Sequence, residues 1–172
     1  VAAVAPADAG AEPDAGKGAA PAAVPSRDAV EPVLVYEGRR FSGKSCDFED
    51  LADRFAHVHF GGALSIAFSV CYDTLQKWSH IVDFGDGPER GNIFIGNVKN
   101  TGTLAFHIWA RDWEVKLHVP DMFVPGETKR YLCTVGPSGR MRAYQDGRLV
   151  GENRRGAPPT PGPRRWPWGP RS

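Results

Sequence analysis

The chain has 172 residues, 41% of them apolar, with a formal net charge of +1. That balance fits one soluble domain with tails and excludes a polycationic nucleic-acid binder. The charge is uneven all the same: residues 1–32 carry five acids (Asp8, Glu12, Asp14, Asp28, Glu31) against Lys17 and Arg27, and from Arg148 onward six arginines face only Glu152.

The first 32 residues hold twelve alanines, five prolines and no aromatic side chain. They have nothing large to bury against their ordering entropy, so residues 1–32 are expected to be a disordered linker. The opening Val1-Ala2-Ala3-Val4-Ala5 run is too short, and too soon broken by Pro6, for an intact signal peptide or a membrane span, so no membrane insertion is expected and the chain reads as a fragment or processed product.

A short apolar run, Val33 to Tyr36, starts the folded region, and Cys46 to Phe55 has room for a helical turn carrying Glu49, Asp50 and Asp53. From Ala63 the pattern changes. Leu64, Ile66, Phe68, Val70 and Tyr72 alternate with smaller residues, the period of a strand with one buried face. Burying Leu64, Ile66 and Phe68 contributes at most about 1.5–3 kcal/mol each. Strands are expected at 79–84 and 92–97. Leu104, Phe106 and Ile108 then share a face, as do Val115, Leu117 and Val119 beyond Ala110-Arg111-Asp112, which predicts a hairpin. Further strands are expected at 129–135 and 140–145, and Asp146-Gly147 is a two-residue turn pair leading into the return arm from Arg148. So many strands without a long helical period predict an all-β, antiparallel sandwich or jelly roll over residues 33–151, with a Pro/Arg-rich tail over 152–172.

The segments Ala63 to Phe68, Trp78-Ser79-His80-Ile81-Val82-Asp83-Phe84-Gly85, Asn92-Ile93, Gly102 to Phe106 and Tyr144 to Val150 stand in the order found in laminin G-like modules. Residues 60–151 resemble that branch of the concanavalin A-like lectin/glucanase jelly-roll superfamily. Phe68 stands where the family often has Trp, and Lys129-Arg130-Tyr131 replaces its usual Trp-His. Family members run on from the Asp-Gly hairpin into a closing strand; here 157–163 intervene, so the sandwich is expected to lack its last strand. The resemblance implies a lectin-like recognition module in a larger extracellular or surface protein, with neighbouring domains and a glycan or protein ligand. It also draws attention to Cys133, at the position of a bridging cysteine in the related pentraxins. The matching partner position is Ala67, with Cys71 four residues on; a Cys71–Cys133 disulfide is an option, and buried thiols are the expectation.

Several short motifs carry chemistry. Gly38 to Ser45 satisfies the phosphate-loop spacing, in which Gly43 would wrap a phosphate, Lys44 neutralise it and Ser45 ligate magnesium. A nucleotide-binding enzyme needs parallel strands and crossover helices, which the hairpins oppose, so this stays an alternative. Asp83-Phe84-Gly85 matches a kinase metal motif without the rest of a kinase. Glu49, Asp50 and Asp53 lack the strand order of a glucanase pair, and His57, His59, His80, His107 and His118 are too dispersed to define a zinc site. The expected catalytic set is none.

Two binding features remain. Asp83, Asp86, Glu89 and Asn92, among Gly85, Gly87 and Gly91, offer hard oxygen ligands suited to calcium. Trp109 and Trp113 flank a hairpin turn; exposed indoles stack on sugar faces while Arg111, Asp112 and His107 supply hydrogen bonds. The expected function is therefore non-catalytic recognition, with a nucleotide-binding enzyme or a ligandless spacer domain as the alternatives.

Overall fold

The computed structural model describes residues 2–5, 34–42, 44, 47–55, 62–85, 91–110 and 113–156. Among the described residues ten strands and one helical turn follow in order: β1 (Ala2–Ala5), β2 (Leu34–Tyr36), α1 (Ala52–Phe55), β3 (Leu64–Val70), β4 (His80–Phe84), β5 (Ile93–Asn97), β6 (Leu104–Ala110), β7 (Trp113–Val119), β8 (Lys129–Val135), β9 (Met141–Gln145) and β10 (Arg148–Asn153). They form two antiparallel sheets, ordered β10-β9-β8-β3-β1-β2 and β4-β5-β6-β7. The architecture is the expected all-β sandwich. Within the segment read as a disordered linker, Ala2–Ala5 pairs with both β2 and β3. The remainder of that linker and residues 157–172 lie outside the described residues.

Side-chain alternation explains the two layers. In β3 the residues Leu64, Ile66 and Phe68 are buried, and register sets Phe68 opposite Tyr131 and Ile66 opposite Cys133. These side chains, with Val135, Met141 and Ala143, pack against Ile93, Ile95, Leu104, Phe106, Ile108, Leu117 and Val119 of the smaller sheet. Met122 and Phe123, just beyond β7, close one end of this core. Both of their backbone N–H groups donate to the Gly102 carbonyl, at 2.9 and 2.8 Å, and the Tyr131 hydroxyl donates to the Met122 carbonyl at 2.8 Å. Burial pushes the Tyr131 hydroxyl up to about 12.

The turns follow from local chemistry. Asp146 and Gly147 both adopt positive φ, 48° and 83°, the pairing that matches a two-residue turn to strand twist. A register shift between Leu149 and Gly151 then bulges β10. Gly151 lies against Val119, where a Cβ would meet Cγ2 at 2.3 Å, and Asn153 Nδ2 donates to the Lys116 carbonyl at 2.9 Å. The edge strand β10 thus sits beside β7, joining the margins of the two sheets.

Candidate binding face

The core uses one side of β5, β6 and β7; the other side carries rings where a sandwich requires only polar cover. Register sets Phe94 opposite His107, and Trp109 opposite Glu114, with Lys116 and His118 further along β7 on the same side. His80 lies opposite Gly96, and Asp83 opposite Phe94. Phe94 and His107 are buried on this outer side, Trp78 and Trp109 are half-buried, and His80 and His118 are exposed. Phe94 is capped by His80 edge-on at 4.7 Å and flanked by His107 at 5.5 Å, while Trp109 lies 5.0 Å from His107. Trp78 completes the group at 6.3 Å from both Phe94 and His107.

Two residues put Trp78 there. Asn97 is fully buried, and its Oδ1 accepts from the Ser79 N–H at 2.7 Å. Its Nδ2 donates to the carbonyls of Gln76 at 2.8 Å and Lys99 at 2.7 Å, with Thr101 at 3.3 Å. One amide therefore ties the segment before β4 to the turn after β5. The Trp78 N–H adds a bond to the Lys99 carbonyl at 2.9 Å, and Trp78 itself sits at φ 57°. Gly96 supplies the space: a Cβ there would stand 2.2 Å from the Ser79 carbonyl and 2.7 Å from the Phe94 ring.

Histidines set the electrostatics of this face. The Nε2 atoms of His107 and His118 are 2.7 Å apart. His107 Nδ1 is 3.0 Å from Glu114 Oε1, an ion-pair distance without hydrogen-bond alignment. Burial dominates and lowers His107 to about 4, against the opposing pull of Glu114; His118 is lowered as well, again chiefly by burial. Glu114 Oε2 also accepts from Lys116 Nζ at 3.0 Å.

The expected ligand set is divided by this geometry. Trp109 and His107 belong to the face. Trp113 lies opposite Ala110, on the side of β7 shared with Val115 and Leu117, and is 40% exposed. The two indoles beside the turn thus point to opposite sides of one sheet. Arg111 and Asp112 lie outside the described residues, as do Asp86 and Glu89. Of the calcium set, Asp83 and Asn92 are adjacent: Asn92 Nδ2 donates to Asp83 Oδ1 at 3.4 Å, and Asp83 Oδ2 is 3.1 Å from His80 Nδ1. Among the described residues, no three His, Cys, Asp or Glu side chains come together as a metal cluster.

In the phosphate-loop segment, Lys44 is exposed, and Gly43 and Ser45 lie outside the described residues. Its neighbours already hold an acid. The Ser42 N–H donates to the Asp47 carboxylate and Arg39 pairs with Asp47 at 2.9 Å; the Ser42 bond foremost lowers Asp47 to about 2. The preceding strand β2 pairs antiparallel with β1. Cys71 and Cys133 are both free thiols, so the bridge that the resemblance made an option is not formed. Cys133 is buried in the core as expected, and burial pushes its thiol up; Cys71, one residue past β3, is exposed instead. His57 and His59 lie outside the described residues.

Sequence reading missed Asn97, the His107–His118 contact and a cluster on β9–β10. In that cluster Glu152 Oε1 accepts from Arg140 Nε at 2.5 Å and Arg142 Nε at 3.0 Å, and Oε2 from Arg154 Nε at 2.6 Å. These bonds hold Glu152 down at about 2. Its sequence signal was the run of arginines around a single acid.

Fold and face together define a two-sheet antiparallel β-sandwich with an aromatic outer surface on its smaller sheet. Comparison with protein-family models, with curated proteins and with solved structures finds no significant match. Among the described residues no helix is long and apolar enough to cross a membrane.

Proposed function

We propose that the chain is a non-catalytic recognition module of the laminin G-like kind, one part of a larger surface or extracellular protein, and that it binds a glycan on the outer side of β4–β7. The observation that supports this is the ring cluster formed by Trp78, His80, Phe94, His107, Trp109 and His118 on the side of the sheet the core does not use. Half-buried indoles held by neighbouring rings lose little freedom on stacking against the apolar face of a sugar, and imidazole edges beside them can hydrogen-bond its hydroxyls. Asp83 and Asn92, at the margin of the same face, are the pair through which calcium would act.

A glycan array with the folded protein tests this reading. Trp109→Ala is expected to weaken binding about tenfold or more, the equivalent of roughly 1.4 kcal/mol. Trp113→Ala, on the opposite side of the sheet, is expected to leave it unchanged. Silence across a broad array, or equal loss in the two variants, would remove the glycan and leave a protein partner or a spacer role.

A further inference from the structure

His107 and His118 meet nitrogen to nitrogen. Their Nε2 atoms are 2.7 Å apart, while the ring centroids are 4.9 Å apart and the planes differ by 28°, so the rings lie edge to edge and nearly coplanar. A neutral imidazole has one N–H donor and one acceptor nitrogen. A contact of this kind therefore counts protons: with one proton between the two Nε2 atoms it is a hydrogen bond, and with two it sets two N–H groups against each other. The Glu114 carboxylate, 3.0 Å from His107 Nδ1 though out of hydrogen-bond alignment, favours the His107 proton on that side by its charge, and His107 Nε2 is then the acceptor of His118 Nε2–H.

Among the described residues, the nearest charged groups stand on β7. From β7 the pair faces Glu114 and Lys116, which are paired with each other. From β5 it faces Phe94, on β6 itself Trp109, and from the segment before β4 Trp78. Beyond Phe94 lies the His80–Asp83 pair on β4. His107 is 4% exposed, while His118 is open to solvent.

We propose that this contact is an acid-opened latch on the aromatic face: one shared proton holds His118 down against His107, and protonation of both rings breaks the contact and turns His118 out to solvent. The first added proton goes to His118 Nδ1 and leaves the shared N–H in place. The second enters at His107 Nε2, where His118 already points a hydrogen, and only rotation of the exposed ring relieves the clash. The lowered proton affinity of both rings agrees with this order. The use of the latch rests on the binding-face reading: the open form carries two added positive charges beside Trp109 and releases a ligand held by stacking. The opening itself belongs to the free protein.

The test is a titration of the ligand-free protein from pH 8 to 3.5, following the histidine Cε1–H resonances by NMR and tryptophan emission. An imidazolium 5.0 Å from Trp109 is expected to quench it. The expected result is a coupled pair titrating in two steps. In His118→Ala the His107 midpoint should rise by about one pH unit, a tenfold gain in proton affinity. In His107→Phe, which keeps the burial but removes the acceptor of the His118 Nε2–H, the His118 midpoint should fall further. Far-UV circular dichroism should stay constant through both steps. Two histidines with the same midpoints in wild type and variants, or loss of the sheet signal at the midpoint of His107, would overturn the latch. A silent glycan array does not touch this result, and uncoupled histidines leave the binding face standing.

Discussion

Asn97 carries more local order than any residue singled out from the sequence. Its buried amide satisfies one backbone N–H and at least two carbonyls on either side of the sheet edge. Asn97→Ala leaves those groups without partners away from water, and the expected loss is roughly 2–4 kcal/mol in urea unfolding, with Trp78 released from the face. Nothing local marks this Asn in the chain, because its partners at Gln76 and Ser79 belong to the segment before β4, which meets the end of β5 only through the fold. His107 is a second case. Its value lies near 4 in the folded state against 6.5 ordinarily, so the unfolded chain takes up the proton first. Stability is therefore full above pH 6.5 and falls as pH drops toward 4, by at most roughly 3 kcal/mol. Glu152, also lowered, adds a separate loss as pH falls from 4.5 toward 2. Thermal melts at pH 7, 5 and 4 check the first window, and His107→Phe should flatten it.

At the scale of elements, the strands were legible because period two leaves a residue little choice of side. Leu64, Ile66 and Phe68, like Leu104, Phe106 and Ile108, are buried as their alternation requires. Asp146-Gly147 announced its hairpin through turn chemistry alone. The tryptophans at 109 and 113 were misleading for the same periodic reason. A connection that pairs Ala110 with Trp113 also pairs Trp109 with Glu114, and parity then sends the two indoles to opposite sides. The rings that do gather, Trp78, Phe94 and His107, depend on the neighbour order β4-β5-β6, which alternation does not encode. Gly96 lies at the centre of that arrangement. Gly96→Val is expected to push Ser79 and the Phe94 ring off β5 and to lower the melting temperature by several degrees. Gly102→Val should act alike at the other end of the turn, against the Phe123 carbonyl, while leaving the emission of Trp78 and Trp109 unchanged.

Across the whole molecule, a single core is shared by strands far apart in sequence, from Leu64 to Ala143, with β10 fastened to both sheets through Asn153 and Gly151. Long-range pairing of this kind folds slowly but opens cooperatively. Cys133 lies at the middle of it, 1% exposed with a free thiol, whereas Cys71 is in reach of solvent. The sequence holds a third cysteine, Cys46, so the measurement uses a Cys46→Ser variant: a thiol reagent added to the native protein should modify Cys71 within mixing time and Cys133 only when the sheets part. The delay between the two mass increments should shorten severalfold in Phe68→Ala, a core truncation expected to cost about 3–5 kcal/mol. If Cys133 reacts as fast as Cys71, the two layers are not closed in solution. Because one thiol sits between the sheets and another outside them, the chain carries its own clock for native-state opening, with the exposed thiol as its zero.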